Sequence, residues 1–178
     1  GLVAFSIPFA LLFWGERSVS PGVAGVLNGT VPIWVFVLGA LLTPGVEPIT
    51  KDKVIGILLG FGGVVAIFAP KALAAEHDPS LFGVLAVTGM AISYAFSVLL
   101  NRNSFAKFKT LNPITNLFHQ LISGAVCLFI IAVLFEGWPQ PSHWGSHLTI
   151  LFSLLYLGCV STCIAFILFY RLIQSWGS

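Results

Sequence analysis

The sequence predicts an all-α membrane protein, a polytopic bundle of transmembrane helices. Its 178 residues are 57% hydrophobic and only 8% charged, whereas soluble domains average about 25% charged residues. The apolar residues form long uncharged runs that are separated by short polar stretches. Because about 20 helical residues cross a bilayer core about 30 Å thick, these runs have the length of membrane-spanning helices.

Five runs are long enough to predict complete spans, and residues 1–14 predict the end of a helix that begins earlier. All 8 Lys and Arg and all 6 Asp and Glu lie outside the five spans. A charged side chain at the centre of a span costs about 2.5–3.5 kcal/mol, so this distribution supports the boundaries. The predicted complete spans are 21–42, 54–69, 81–100, 113–135 and 148–170.

The span 21–42 contains polar residues near its middle, Asn28 and Thr30, followed by Pro32. Proline has no backbone N–H and therefore frees a carbonyl near Asn28. Inside a bilayer such a group must face protein or a water-filled cavity. The sequence thus predicts a kink, either facing a substrate or purely structural, with Asn28 bonded to a neighbouring helix.

His119 is the only His, Asp, Glu, Lys or Arg within the complete spans, and it shares a helix face with Thr115 and Ser123. Ionisable residues at membrane depth suggest function. Substrate contact, proton transfer and a neutral histidine bonded across a helix interface remain open alternatives. Other polar and aromatic residues in the spans are further candidates. The predicted substrate-binding residues are Asn28, Thr30, Trp34, Tyr94, Ser97, His119, Gln120, Thr162 and Tyr170.

Small residues recur four apart in two spans, as Gly25-xxx-Gly29 and Gly56-xxx-Gly60. Such faces let helix backbones approach closely, so they predict packing surfaces. The predicted helix-packing residues are Gly25, Gly29, Pro32, Gly56, Gly60 and Gly63.

The chain lacks the motifs of an enzyme, and we expect neither a cofactor nor a metal. It has no HExxH motif, no serine nucleophile motif and no carboxylate within a span. His143 and His147 are four apart but have no evident third ligand. The three cysteines lie in apolar runs and predict packing residues. The net charge of +2, without a basic patch, argues against a nucleic-acid partner.

The basic residues predict the orientation. With alternating spans, six Lys and Arg fall on one side, including Lys51, Arg102 and Arg171, and only Arg17 and Lys71 fall on the other. Cytoplasmic loops are enriched in Lys and Arg. We therefore expect the loops 43–53 and 101–112 to be cytoplasmic.

An internal repeat appears at an offset of 157 residues, where residues 1–18 align with residues 158–175. The two segments would be five helices apart and would cross in opposite directions, as in the inverted repeats of secondary transporters. The identical pairs are Gly1 and Gly158, Val3 and Val160, Ile7 and Ile164, Phe9 and Phe166, Leu11 and Leu168, and Ser18 and Ser175.

Three stretches carry a family resemblance: SPGVAGVLNGTVP at 20–32, GILLGFGGVV at 56–65 and LYLGCVSTCIAFILFYRL at 155–172. They resemble the EamA-type permeases of the drug/metabolite transporter superfamily. The resemblance implies part of a 10-helix (5+5) inverted-repeat transporter, with residues 1–70 as helices 3–5 of the first repeat and residues 71–178 as helices 6–8 of the second. We expect the chain to be a fragment whose partners include the missing helices of the same protein.

The resulting functional expectation is an integral membrane transporter in a bacterial plasma (inner) membrane. The resemblance implies export of small organic metabolites by alternating access. The absence of Lys and Arg from the spans favours neutral or zwitterionic compounds such as amino acids, because phosphorylated substrates need cationic partners. The alternatives are a non-transporting scaffold or regulatory subunit and, less favoured, a membrane-embedded enzyme. Homo-oligomerisation, the substrate and the coupling ion stay open.

Overall fold

A computed structural model describes residues 1–42, 50–73, 79–108, 112–138, 152–153 and 155–176. Regular structure in these ranges is helical, without a strand, so the predicted all-α fold class is confirmed. The main helical segments are π1 (Leu2–Ser6), α1 (Ile7–Glu16), α2 (Pro21–Asn28), α3 (Val31–Leu42), α4 (Lys51–Leu73), α5 (Leu81–Lys107), α6 (Pro113–Glu136), π2 (Tyr156–Ile164) and α7 (Ala165–Trp176). The segments π1 and π2 are π-helical.

Four stretches of the described residues are long and apolar enough to cross a membrane. Three of them, all except Leu81–Lys107, have largely uncovered apolar surfaces, as at Leu59, which is 72% exposed, and Phe135, which is 85% exposed. Lipid rather than water is the solvent that suits such surfaces. A shorter apolar helix, Tyr156–Phe169, falls within the last predicted span. The four stretches are Pro21–Leu42, Lys51–Pro70, Leu81–Lys107 and Ile114–Glu136.

Two of the predicted loops are shorter than the sequence suggested. Residues 51–53 form the first turn of α4, and residues 101–107 form the last turns of α5. The Thr50 hydroxyl caps α4 by accepting the Lys53 N–H at 3.4 Å. The predicted loops 43–53 and 101–112 are therefore corrected. The hydropathy of the sequence predicts where the bilayer core ends. The helices continue past that point because Arg, Lys and Ala have high helix propensity.

Residues 2–100 form one compact unit. Its buried core contains Val19 and Ala24 beside Val87 and Met90 of α5. Small residues allow the close approach, since a Cβ at Gly15 would lie 2.7 Å from a methyl carbon of Val87. The core thus joins α5 to the segment that carries α1 and α2.

Helix α2 packs against α4 in the same unit. A Cβ at Gly25 would lie 2.6 Å from the Phe68 ring, and one at Gly29 would collide with Val64. By contrast, a Cβ added at Gly56, Gly60 or Gly63 would meet no described atom within 4 Å. The packing role of these three glycines of α4 stays a prediction.

The second compact unit contains Gly1 and residues 101–178. Within it α6 contacts α7. Asn112 caps α6 by accepting the Ile114 N–H at 2.9 Å, and Pro113 occupies the first turn, where its missing N–H is not needed. Gly137 ends the helix with a φ of 82°, a conformation that suits glycine.

Candidate functional site

The membrane-length stretch Pro21–Leu42 is broken at Gly29 and Thr30, which separate α2 from α3. The Thr30 N–H donates to the Leu27 carbonyl at 3.1 Å, three residues earlier rather than four. In an α-helix the N–H of residue 32 would bond the carbonyl of Asn28, but Pro32 has no N–H, so this bond is missing. The interruption predicted from Pro32 is therefore a break between two helices.

Thr30 links the two sides of this α2–α3 junction. Its hydroxyl donates to the Leu27 carbonyl at 2.6 Å and accepts the indole N–H of Trp34 at 3.1 Å. Both hydrogen-bonding functions of Thr30 are thus used within the junction. The neighbouring Asn28 side chain is exposed. The junction therefore combines an exposed carboxamide with an indole ring whose N–H is fixed by Thr30.

Two predicted site residues lie one turn apart on α5. The Ser97 hydroxyl is buried and donates to the Tyr94 carbonyl at 2.7 Å. Tyr94 itself is half-buried. A serine bonded back to its own helix loses much of its capacity to donate to a ligand. Of this pair, Tyr94 is the better placed to contact a solute.

His119 lies on an exposed face of α6, and its Nδ1 is 2.8 Å from the Thr115 carbonyl. Since a carbonyl only accepts, Nδ1 carries the proton in this bond. Ser123 donates to the His119 carbonyl at 2.7 Å. The predicted Thr115, His119 and Ser123 face is thus connected by local bonds, of which the bond to the Thr115 carbonyl orients the imidazole.

A carboxamide cluster joins the last turns of α5 to α6. Only one of its three members was predicted as a site residue from the sequence. The Asn101 side-chain oxygen accepts a hydrogen bond from Gln120 at 2.7 Å and one from Asn116 at 3.3 Å. All three side chains are half-buried. Asn101 was missed because it lies in a predicted loop. Asn116 and Gln120 are four residues apart and so share a helix face. That spacing was the signal in the sequence from which the cluster could have been predicted.

Thr162 lies within π2 and is half-buried. Its hydroxyl donates to the Leu157 carbonyl, five residues earlier, at 2.8 Å. This spacing differs from the four-residue spacing of Thr88 in α5, whose hydroxyl bonds the Val84 carbonyl at 2.8 Å. Tyr170 lies in α7, and its side chain is outside the described part of the structure.

Neutral polar groups dominate this set of candidates. In the described ranges, every buried side-chain nitrogen or oxygen has a hydrogen-bond partner. Nor do three or more His, Cys, Asp or Glu residues of the described part come together as a metal site. His143 and His147 lie outside the described residues. The chemistry available at these positions is hydrogen bonding and aromatic contact.

Membrane-length helices that carry carboxamide, hydroxyl and imidazole groups define a multi-pass integral membrane protein with polar groups inside its spans. A family comparison specifies the class further, since residues 1–69 and 81–178 match the model of the EamA-like transporter family. The chain belongs to the EamA-like transporter family. The resemblance inferred from the sequence is confirmed.

One relative is an "Uncharacterized transporter" from Archaeoglobus fulgidus, which is 26% identical over 174 residues. The alignment covers 98% of this chain and 57% of that protein. The chain therefore spans a little over half of the relative's length. No solved structure matches the chain.

Proposed function

We propose that the full-length protein carries small neutral or zwitterionic organic metabolites, such as amino acids, across the membrane by alternating access, in the direction of export. The family supports the transporter class. The observation that carries the proposal is the α2–α3 junction, where polar groups interrupt an otherwise apolar span. The substrate class is inferred from the residues at such positions, whereas the direction and the cycle are taken from the family resemblance.

The depth of the junction suits a binding site. Asn28 is the eighth residue of the 22-residue stretch Pro21–Leu42, which places it about 10 Å along the helix axis from Pro21 at about 1.5 Å per residue. Transporters bind their substrates near the bilayer midplane, commonly at discontinuous helices. The exposed Asn28 carboxamide supplies a donor and an acceptor, which can pair with the carboxylate or ammonium of a zwitterion.

Charge selects among substrates in this proposal. Pro21–Leu42 contains no Lys or Arg, and the basic residues of α4 and α5 lie near their ends, at Lys51, Lys53, Lys71, Arg102 and Lys107. A phosphate group without a cationic partner would be costly to bind at membrane depth. Neutral and zwitterionic solutes avoid that cost, since their polar groups can be satisfied by amides and hydroxyls.

The second repeat contributes acceptors and an aromatic ring under the same proposal. The His119 ring is oriented by its bond to the Thr115 carbonyl, which leaves Nε2 for a proposed substrate contact. Gln120 is oriented by Asn101. We also propose contacts from Trp34 of the first repeat and from Tyr94, Ser97, Thr162 and Tyr170 of the second. The Ser97 and Thr162 hydroxyls are bonded to the backbone carbonyls of Tyr94 and Leu157.

The experiment replaces Asn28 by alanine in the full-length protein and measures uptake of labelled amino acids into proteoliposomes. We expect the uptake rate to fall by about tenfold, because the variant loses one or two hydrogen bonds to a polar ligand. A tenfold change corresponds to about 1.4 kcal/mol. Asn103→Ala is the matched control, because Asn103 is exposed in the last turns of α5.

Equal flux through the Asn28 and Asn103 variants would overturn the assignment of the junction as the binding site. A wild-type protein that folds but moves no solute would instead favour a scaffold or regulatory subunit.

A further inference from the structure

The two π-helical segments occupy equivalent positions of the internal repeat. At the offset of 157 residues, π1 (Leu2–Ser6) corresponds to residues 159–163, which lie inside π2 (Tyr156–Ile164). Each π segment continues directly into an α-helix, since α1 begins at Ile7 and α7 at Ala165. π-helices are rare in proteins and occur frequently at functional sites. Their recurrence at matched positions therefore calls for a physical explanation.

The local cause in the first segment is Pro8, just after π1. Proline cannot donate to the carbonyl four residues earlier, here that of Ala4, and its ring crowds that carbonyl in an α-helix. A wider turn relieves the crowding. Backbone angles at Ser6, between π1 and α1, remain helical at φ −66° and ψ −50°. The run is thus one continuous helix with a π-helical beginning.

The second segment has no proline at the equivalent position, which is Ala165. The π turn is accompanied there by a bond from the Thr162 hydroxyl to the Leu157 carbonyl five residues earlier. The β-branched side chains of Val160, Thr162 and Ile164 also weaken the preference for an α-helix. The same backbone feature thus occurs at equivalent positions beside different local chemistry, which argues that the π turn itself is what the fold requires.

We propose that the two π segments are paired hinges of the transport cycle, each converting between π- and α-helical hydrogen bonding. A π turn holds one residue more than an α turn. Conversion of one such turn therefore rotates the following helix by about one residue, which is about 100° about its axis. This rotation changes which face of α1 or α7 is presented to the rest of the protein. The proposal rests on the proposed transport function.

The experiment uses the full-length protein with its native cysteines replaced, reconstituted in proteoliposomes. Single cysteines are placed at positions 165–172 of α7 and 9–16 of α1, and their reaction rates with N-ethylmaleimide give the pattern of accessible faces. Thr162→Val removes the hydroxyl that holds the Leu157 carbonyl, and Pro8→Ala restores the missing N–H. We expect each substitution to move its pattern by about one position, or 100°.

Transport of labelled amino acids is measured on the same variants without scanning cysteines. We expect Thr162→Val to slow transport by about threefold or more, the factor implied by losing one average membrane hydrogen bond. Thr162→Ser keeps the hydroxyl and should give the wild-type labelling pattern. Thr88→Val is the matched control, because it removes a bond of the same length from an ordinary α turn. Pro21→Ala is the control for proline at a first helical position.

Labelling patterns that stay in place in both variants would overturn the proposal. So would patterns that move while transport stays at the wild-type rate, because the hinges would then have no part in the cycle. Wild-type protein that transports nothing would overturn the proposed function, and with it the transport role of the hinges. The labelling patterns would still show whether the segments convert.

Discussion

Several hydroxyl groups in the described part of the chain donate to backbone carbonyls a few residues earlier. Thr30, Ser97 and Thr162 donate to the carbonyls of Leu27, Tyr94 and Leu157. In a bilayer this removes the cost of an unpaired donor, and it also fixes the local backbone. Asn28 differs, because its carboxamide is exposed beside a break in the helix. That contrast makes Asn28 the residue on which the proposed site depends most.

The carboxamide cluster yields a prediction about stability. Asn101→Leu removes the acceptor of both Gln120 and Asn116, so we expect the full-length protein to lose about 1–2 kcal/mol, consistent with about 0.6 kcal/mol and at most about 1.7 kcal/mol per membrane hydrogen bond. Unfolding in detergent micelles measures this loss, and Asn103→Leu is the control.

Double-mutant cycles separate the two bonds of that cluster. The Asn101–Gln120 bond is shorter, at 2.7 Å against 3.3 Å for Asn101–Asn116, so its coupling energy should be the larger of the two. Equal couplings near zero for both pairs would show that the cluster does not hold α5 to α6.

Single-residue chemistry was only partly predictable from the sequence. A polar residue in an apolar run is visible, so Asn28, Thr30, His119 and Gln120 were found as candidates. The partner of Gln120 was not, because hydropathy ends the span at Leu100 whereas the helix continues through Asn101 to Lys107. Which neighbouring groups bond is decided by packing between helices, and the sequence pattern of a single helix does not contain that information.

At the scale of elements, hydropathy predicted where helices cross but not how their backbones are bonded. The apolar runs predicted Pro21–Leu42 as one span, and Pro32 predicted an interruption, which the structure places at Gly29 and Thr30. The π segments left no trace in hydropathy, because π- and α-helical turns can be built from the same apolar residues. Pro8 was a local signal for the first of them.

Packing of α2 against α4 gives a prediction at this scale. Gly25→Ala places a methyl group 2.6 Å from the Phe68 ring, so we expect a loss of about 1–3 kcal/mol from overpacking. Gly62→Ala is the matched control, since a Cβ there meets no described atom within 4 Å. Alanine at that position should be neutral or stabilise the helix by up to about 1 kcal/mol. Thermal unfolding of the two full-length variants compares them, and equal midpoints would contradict the contact.

For the whole molecule, the distribution of basic residues predicts a defined orientation. In a full-length protein without native cysteines, Phe108→Cys should react with a membrane-impermeant maleimide only after the cells are permeabilised. Ser18→Cys should react in intact cells, because it lies on the opposite side and is exposed. The reverse pattern of labelling would contradict the predicted orientation.

The repeat also belongs to this scale. The match to the family model covers almost the whole chain, and the relative from Archaeoglobus fulgidus is considerably longer than this chain. Residues 1–70 and 71–178 are proposed as parts of two inverted repeats, and the matching π segments support that division. The two compact units, in contrast, divide at Leu100 and Asn101. Packing units and repeat units need not coincide, because inverted repeats in transporters contact each other extensively.

The most direct test of the proposed function is solute uptake by the full-length wild-type protein in proteoliposomes, measured in one experiment for labelled zwitterionic amino acids and labelled sugar phosphates. Saturable uptake of at least one amino acid, without uptake of sugar phosphates, is expected from a binding site formed by amides and hydroxyls in place of fixed cations. Uptake of a sugar phosphate in preference to every amino acid would contradict the proposed substrate class, and uptake of no solute would contradict transport.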